Sequence, residues 1–572
     1  MIAPGAVTRW VATALAVTTA VVMIWRMRHG ADFTDEAFYL AVPLRFVLGD
    51  RPFVDELNIT QTGGVLSVPF VKVWTLLVGS ATGIVLFARV LYLVFFGLVG
   101  FAVFRFARMR LPYATSILIA AACICFIPYG LPGLSYNTWS SGLFTLGLFV
   151  SARWLLAPVR PPAFYRHPLL WAGLAHGAAA FAYPTMSVAA VTTACVIAVL
   201  AGAERVRATL CYAAGGLLFA LIISPVFVSA GVAHLREVVA YTTVGDQMAM
   251  ATTTRLATLG GAWLDMNRQL ALAAFVVAFA MVLLRRWPTL VGLGLPFIPL
   301  LAHGSVVPTR NLAVMGFMST FAVLGPLLCF GLRDRPTARV MLVGIGVPAT
   351  VSGVITCWTS TNTVLASAIG LYPLAHLASI ALAMLVDQTT KQWRLRWLRP
   401  PMALSPVIFL YAALGYATAD KTCIREAPLS AMTSVVAEGP YKGIYTTPER
   451  KAALAELSAA VLANAQQASR ALFYFDFPAG YLVSYRRPLI TSAWTFALPS
   501  HLEPDARFFR ERAKPGDLVV RDDARWVSMA NATQPPDAYL GAGLGGTPLD
   551  LEVAARCDLV QKGRGWSIYR VR

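Results

Sequence analysis

"RHGADFTDEAFYLAVPLRFVLGDRPFVDE" occupies residues 28–56, directly after the first apolar run of the chain. It crowds Asp32, Asp35, Glu36, Asp50, Asp55 and Glu56 into one short stretch of a sequence with only 28 acidic residues in 572. The surroundings are the opposite in character: 57% of residues are hydrophobic and 13% charged, too little charge to cover a soluble surface of this size. Apolar runs long enough to cross about 30 Å of hydrocarbon recur to about residue 418, so the chain reads as a membrane protein.

The runs predict thirteen transmembrane helices, near 8–25, 86–104, 112–130, 137–156, 168–184, 186–202, 208–230, 269–284, 288–303, 312–332, 338–356, 366–386 and 402–419. Arginines gather in alternate connections, at Arg105/Arg108/Arg110, Arg153/Arg160/Arg166, Arg205/Arg207, Arg285/Arg286, Arg333/Arg335/Arg339 and Arg394/Arg396/Arg399 with Lys391. Those connections are cytoplasmic by the positive-inside rule, which places the acidic stretch and the C-terminal part on the outer side. The apolar segment 65–78 is short and contains Pro69 and Lys72, so we read it as a helix lying in the outer interface. No small-residue cleavage site follows Trp25, so the first run reads as an uncleaved anchor.

Two outer loops are long, 26–84 and 231–269, and long loops tend to carry function. Residues 1–419 form the membrane part. From residue 420 to 572 the composition is that of a small extracytoplasmic α/β module, with a helical run at 448–467, strand-like "ALFYFDF" and "DLVVRD", and a closing "GWSIYRVR". The net charge of +19 sits mainly in the short connections, which argues against a nucleic-acid partner and for the lipid bilayer. Among the eight cysteines no metal-type spacing occurs; Cys357, Cys423 and Cys557 fall outside and leave room for one disulfide.

A helix starting near Thr34 puts Asp35, Glu36 and Tyr39 at neighbouring positions, with Asp32 one turn earlier. Acids at a helix start also cap backbone N–H groups and complement the dipole, so capping is one reading of the cluster. The wider layout adds another. One span, then "DEAFYL", "LGDRPFVDE", an interfacial helix and "ARVLYLVFFGLVGFAVFRFAR" resembles the GT-C superfamily of membrane glycosyltransferases, which includes protein O-mannosyltransferases and lipid A aminoarabinose transferases. The match falls on Asp35-Glu36, on Phe38 and Tyr39 as the aromatics, and on Arg89 before the second span.

That resemblance implies a polyprenyl-phosphate sugar donor and a lipid, glycan or protein acceptor, with Asp35 as general base and inversion at the anomeric carbon. Glu36 would orient Asp35 or the acceptor, and Asp32 is the alternative base. Where many relatives carry "KPPL", whose Lys holds the lipid phosphate, this chain has "TQTGGVL" from Thr60. The phosphate contact then falls to Arg310 in "HGSVVPTRNLAVMG" or to Arg236, since Arg binds phosphate as a bidentate fork; lipid headgroups are the other use for such arginines. Tyr136, Asn137 and Trp139 in "YGLPGLSYNTWSSG" are candidate sugar contacts or members of an interfacial aromatic belt. No metal cofactor is required: the loop reads D-F-T-D-E rather than D-x-D, and one carboxylate pair is a thin ligand set for a divalent ion. A multi-span transporter or lipid flippase is the competing class; ion-coupled transporters carry ionisable groups inside their spans, whereas these spans are nearly free of them, with His176 and His376 as the exceptions.

Overall fold

Where Leu, Val, Ala and Phe run on without turn residues the chain is helical, and the buried stripe of each helix sets how it packs. The computed structural model describes residues 4–127, 131–157, 163–243, 253–258, 260–261, 325–360, 364–392, 407, 410, 414, 426–474, 477–494, 499–522, 547–563 and 566–572. The bundle is built from α1 (Pro4–Arg26), α3 (Gln61–Val78), α4 (Ile84–Ala107), α5 (Tyr113–Ala121), α6 (Tyr136–Leu156), α7 (Pro168–Ala182), α8 (Met186–Leu200), α9 (Arg205–Thr243), α10 (Val347–Thr359) and α11 (Val364–Gln392), with α2 (Asp35–Val47) across one end. In α4, Val85, Ala88, Tyr92, Phe96, Val99 and Val103 recur at helical spacing and are buried, while Val90, Val94, Leu98 and Phe101 face outward as lipid-facing residues do.

Among the described residues six helices are long and apolar enough to cross a membrane and three more are apolar but shorter, which makes this an integral membrane protein. Of the thirteen expected spans, 269–284, 288–303, the first part of 312–332 and nearly all of 402–419 lie outside the described residues. Span 112–130 is a shorter helix than expected, because α5 tightens into the 3-10 turn Ala122–Cys125 and becomes extended at Phe126. The expected second loop starts as helix: α9 passes a break at Gly231 (φ 76°, ψ 160°), a conformation suited to glycine, and continues to Thr243.

Among the described residues, arginine-rich connections meet at one end, where Arg110 bonds Asp334 and Thr337 at 2.8 Å and Arg153 lies within electrostatic range of Arg105. The opposite end carries α2 and the C-terminal region. Helix α3 keeps both its ends there: Thr62 donates to the Ala182 carbonyl at 2.9 Å, and Trp74 stacks on Phe87 in the first turn of α4. Although α3 has the length and composition of a span, its contacts run along the α2 end of the bundle.

The C-terminal region pairs β1 (Ser434–Val435) with β2 (Tyr445–Thr446), and folds α12 (Pro448–Ala465), α13 (Ala479–Ser484), α14 (Pro499–Arg512) and α15 (Pro548–Arg556) around a five-stranded sheet. Its order is β4 (Arg487–Pro488), β3 (Arg470–Tyr474), β5 (Leu518–Asp522), β7 (Trp566–Val571), β6 (Cys557–Lys562); β3 is parallel to β4 and β5, while β5–β7 and β7–β6 are antiparallel. The fully buried β3 explains the apolar run "ALFY". Cys357 and Cys557 are free thiols, so neither forms the disulfide considered above; Cys423 lies outside the described residues.

One apolar cluster joins Phe38, Leu40 and Leu44 of α2 to Leu472, Phe473, Tyr481 and Ile490 of the C-terminal region. Backbone bonds reinforce it: Gly30 to Tyr445 (2.8 Å), Leu57 to Thr491 (2.7 Å) and Ala479 to Phe33 (3.2 Å). Helix α2 is therefore packed between the bundle and the sheet region.

Candidate active site

The six acids of the opening stretch divide by their partners. Asp32 is 1% exposed; its Oδ1 accepts the Thr34 N–H (3.2 Å) and hydroxyl (2.8 Å), and its Oδ2 accepts the Glu36 N–H (2.8 Å). These are the bonds of a helix cap, and they occupy both oxygens of the residue considered as alternative base. Glu36, also 1% exposed, receives Arg89 Nε and Nη2 in a bidentate pair, both at 2.6 Å. Arg89 spends its remaining donors on the carbonyls of Met27, His29 and Gly30, so this pair ties the start of α2 to α4 and to the end of α1.

The second trio serves the C-terminal region. Fully buried Arg45, in the last turn of α2, bonds Asp50 (3.1 Å), Glu56 (2.6 Å) and the carbonyls of Asp55 (2.6 Å) and Ile490 (3.2 Å). Arg470 grips both oxygens of Asp50 at 2.7 and 3.2 Å, Ala493 N–H donates to Glu56, and Arg512 pairs with Asp55 at 3.2 Å.

Asp35 has a different setting. It opens α2 one turn before Tyr39, and its charge acts on the Tyr136 phenol, which is in hydrogen-bonding contact with Tyr39 and Asn137. The Tyr39 and Tyr136 rings meet edge-on at 5.9 Å, and Tyr136 stacks on Tyr183 at 5.5 Å. Asp35, Tyr39, Tyr136 and Asn137, four of the residues singled out in the sequence, thus come together where α2 meets α6. Trp139 does not join them: its Nε1–H donates to Ser67, and its ring packs on Phe70 and Phe95.

The "TQTGG" segment at the position of the family's lysine has packing duties of its own. Gln61 bonds Phe53 N–H and the Glu56 carbonyl at 2.7 and 2.6 Å. A Cβ on Gly63 would lie 2.5 Å from Tyr136 N, so the glycine admits the start of α6. Of the two arginines expected to hold phosphate, Arg310 lies outside the described residues, and Arg236 is exposed on the far part of α9, where its neighbour Glu237 pairs with Arg507.

A cation that sequence reasoning missed is Arg255. It is 9% exposed, lies over the Trp358 ring at 5.3 Å and bonds the Trp358 carbonyl. The next residue, Thr359, contacts the hydroxyls of Tyr183 (3.4 Å) and Thr185 (3.2 Å), so Arg255 stands at the Tyr183 end of the tyrosine row. Its position in the second long loop was the available signal. A second missed residue is Trp494, half-buried against Phe38 at 5.5 Å, which extends the row from the C-terminal side.

The histidines are accounted for by packing. His176 bonds the Tyr212 hydroxyl (2.5 Å) and the Phe144 carbonyl (3.0 Å), and His376 lies 3.5 Å from the Cys123 sulfur. His29 bonds the Trp25 carbonyl and stacks on Tyr445, and His234 bonds the Ala230 carbonyl; His303 lies outside the described residues. Among the described residues no three His, Cys, Asp or Glu side chains converge as metal ligands would.

No protein-family model and no curated protein sequence matches the chain. Solved structures do. The oligosaccharyltransferase of Archaeoglobus fulgidus in its apo form superposes with a TM-score of 0.50 at 12% identity, over 89% of this chain and 69% of that one. The same organism's AglB, solved with an inhibitory peptide and a dolichol-phosphate, gives 0.48 at 11% identity, over 98% and 74%. ArnT of Cupriavidus metallidurans bound to undecaprenyl phosphate gives 0.44 at 14%, over 98% and 97%. The first of these shows the fold, which this chain shares with that archaeal membrane protein.

Proposed function

Starting from this shared fold and the GT-C resemblance of the sequence, we propose that this chain is a membrane glycosyltransferase that moves a sugar from a polyprenyl-phosphate donor to an acceptor hydroxyl on the extracytoplasmic face, with inversion. The observation that carries the reading is the division of the acids. Asp32 caps, Glu36 pairs with Arg89, and Asp50, Asp55 and Glu56 hold the C-terminal region, while Asp35 lies within electrostatic range of the Tyr136 phenol, which contacts Tyr39 and Asn137. The arginine-rich connections at the far end of the bundle support this face, because the positive-inside rule favours them on the cytoplasmic side. The GT-C resemblance of "DEAFYL" supplies the donor class.

In this reaction the acceptor oxygen attacks the anomeric carbon as an Asp35 oxygen takes its proton. The bond from that carbon to the phosphate oxygen breaks, and the polyprenyl phosphate leaves with the electron pair. General-base assistance of this kind contributes about 10²- to 10⁴-fold. A guanidinium beside the leaving phosphate adds electrostatic stabilisation, and Arg255 together with Arg310 are the residues we assign to it. Tyr39, Tyr136 and Asn137 present hydroxyl and amide groups to the sugar. Glu36 orients the helix start through Arg89.

The test is transfer in reconstituted vesicles supplied with a panel of polyprenyl-phosphate pentoses and hexoses. Asp35→Asn is expected to lose transfer at least 10²-fold with its unfolding temperature kept; wild-type transfer by that variant overturns the assignment. Labelling of a cysteine at position 35 from outside intact cells checks the face: labelling only after permeabilisation reverses the topology.

A further inference from the structure

We infer that the C-terminal region is a positioning element of the candidate active site, acting through Arg470 and Asp50 on the helix that carries Asp35; the inference rests on Asp35 as the base. The 13 residues of α2 are anchored near both ends by buried ion pairs of different origin. At the start, Glu36 is fixed to Arg89 of the bundle. About 14 Å further along the axis, Arg45 is fixed to Asp50 and Glu56, at 3.0 and 2.6 Å, with no exposed side-chain surface on any of the three.

Residues of the C-terminal region complete this second anchor. Arg470 binds both Asp50 oxygens and also donates to the Pro488 carbonyl at 2.7 Å, so its guanidinium is tied to β4 as well as to its own strand β3. The Ala493 N–H holds the Glu56 oxygen that Arg45 uses, and the Ile490 carbonyl accepts from Arg45 itself. The acids that hold Arg45 are therefore held in turn by the sheet region. A rigid helix with one anchor swivels about it, and a second anchor removes that freedom. Apolar contacts between α2 and α13 would join the two parts equally well, but they are non-directional, whereas paired forks fix orientation. Because misplacement of a reacting group by about 1 Å costs on the order of 10²-fold in rate, the swivel of α2 bears directly on the aim of Asp35.

The experiment uses the full-length chain in lipid vesicles with the same donor panel, comparing Arg470→Gln, Arg470→Lys and, as a control, Arg510→Gln, which removes an exposed pair with Glu552. Two quantities are read: kcat against KM, and hydrogen exchange of the Asp35–Val47 amides. Arg470→Gln is expected to lower kcat at least tenfold with the donor KM within twofold, and to speed exchange in Asp35–Val47 while Leu518–Asp522 keeps its protection. Arg470→Lys restores most of kcat, and Arg510→Gln matches wild type. Unchanged kcat in Arg470→Gln overturns the inference, as does a kcat loss accompanied by general loss of protection that Arg470→Lys leaves unrepaired. If Asp35→Asn is active, the base assignment fails by itself, and the exchange of α2 still decides whether the C-terminal region governs this helix.

Discussion

The two halves of the acidic stretch, residues 32–36 and 50–56, are alike in composition and opposite in use. In the second half every carboxylate is spent on arginines or on backbone of the C-terminal region, across separations such as 420 residues for Arg470 and Asp50 and 437 for Ala493 and Glu56. In the first half one acid caps, one pairs with the bundle, and Asp35 lies within electrostatic range of the Tyr136 phenol. Charge clustered in an apolar chain thus includes fasteners alongside the acid proposed for chemistry, and only the partners tell them apart.

The largest expected effect of breaking a fastener lies in the second half. Asp50→Asn leaves Arg45 and Arg470 buried with an incomplete set of acceptors, and removing one partner of a buried pair costs about 3–5 kcal/mol. Denaturant or thermal unfolding of the C-terminal region should register that loss; a cost below about 1 kcal/mol would mean the clasp is not a fastener. Glu36→Gln in the first half belongs to the same class, and its loss should appear in the bundle.

A pH effect sharpens the contrast between the acids paired with arginines and one bonded to a hydroxyl. Asp505 of α14 is 2% exposed and bonded to the Thr491 hydroxyl, and burial pushes its carboxyl up to about 7, against the opposing pull of that bond. Below about pH 4 the carboxyl is protonated in folded and unfolded chains alike. Between there and about pH 7 only the unfolded chain ionises, so stability falls as pH rises, and above 7 the loss stays constant. The fall from this group is up to about 4 kcal/mol. Asp505→Asn should flatten the unfolding temperature of the C-terminal region across that window, and an unaltered slope refutes the assignment.

The smallest effect is expected at the cap. Asp32→Ala should cost about 0.5–2 kcal/mol by leaving the Thr34 and Glu36 N–H groups without their side-chain acceptor, with transfer reduced less than in Asp35→Asn. A transfer loss in Asp32→Ala equal to that of Asp35→Asn would move the chemistry one turn earlier.

What could be read in the sequence was what local spacing encodes. The apolar runs marked the helices, helix α2 begins at Asp35 beside the expected Thr34, and "ALFYFDF", "DLVVRD" and "GWSIYRVR" contain β3, β5 and β7. What could not be read depends on distant partners. Nothing near Asp50 announces Arg470, and nothing near Arg255 announces Trp358. The glycine at position 63 could not be interpreted either, because the reason for it is the approach of Tyr136, 73 residues on. The helical residues after Gly231 continue α9 because only one residue there, a glycine, leaves the helical region.

The central claim is that adjacent Asp35 and Glu36 do separate work, and one paired measurement tests it: transfer rate and unfolding temperature of Asp35→Asn and Glu36→Gln, side by side in the same vesicles. The account predicts that Asp35→Asn keeps its unfolding temperature and loses transfer at least 10²-fold, while Glu36→Gln loses stability. Wild-type transfer by Asp35→Asn, or equal destabilisation by both, would contradict it.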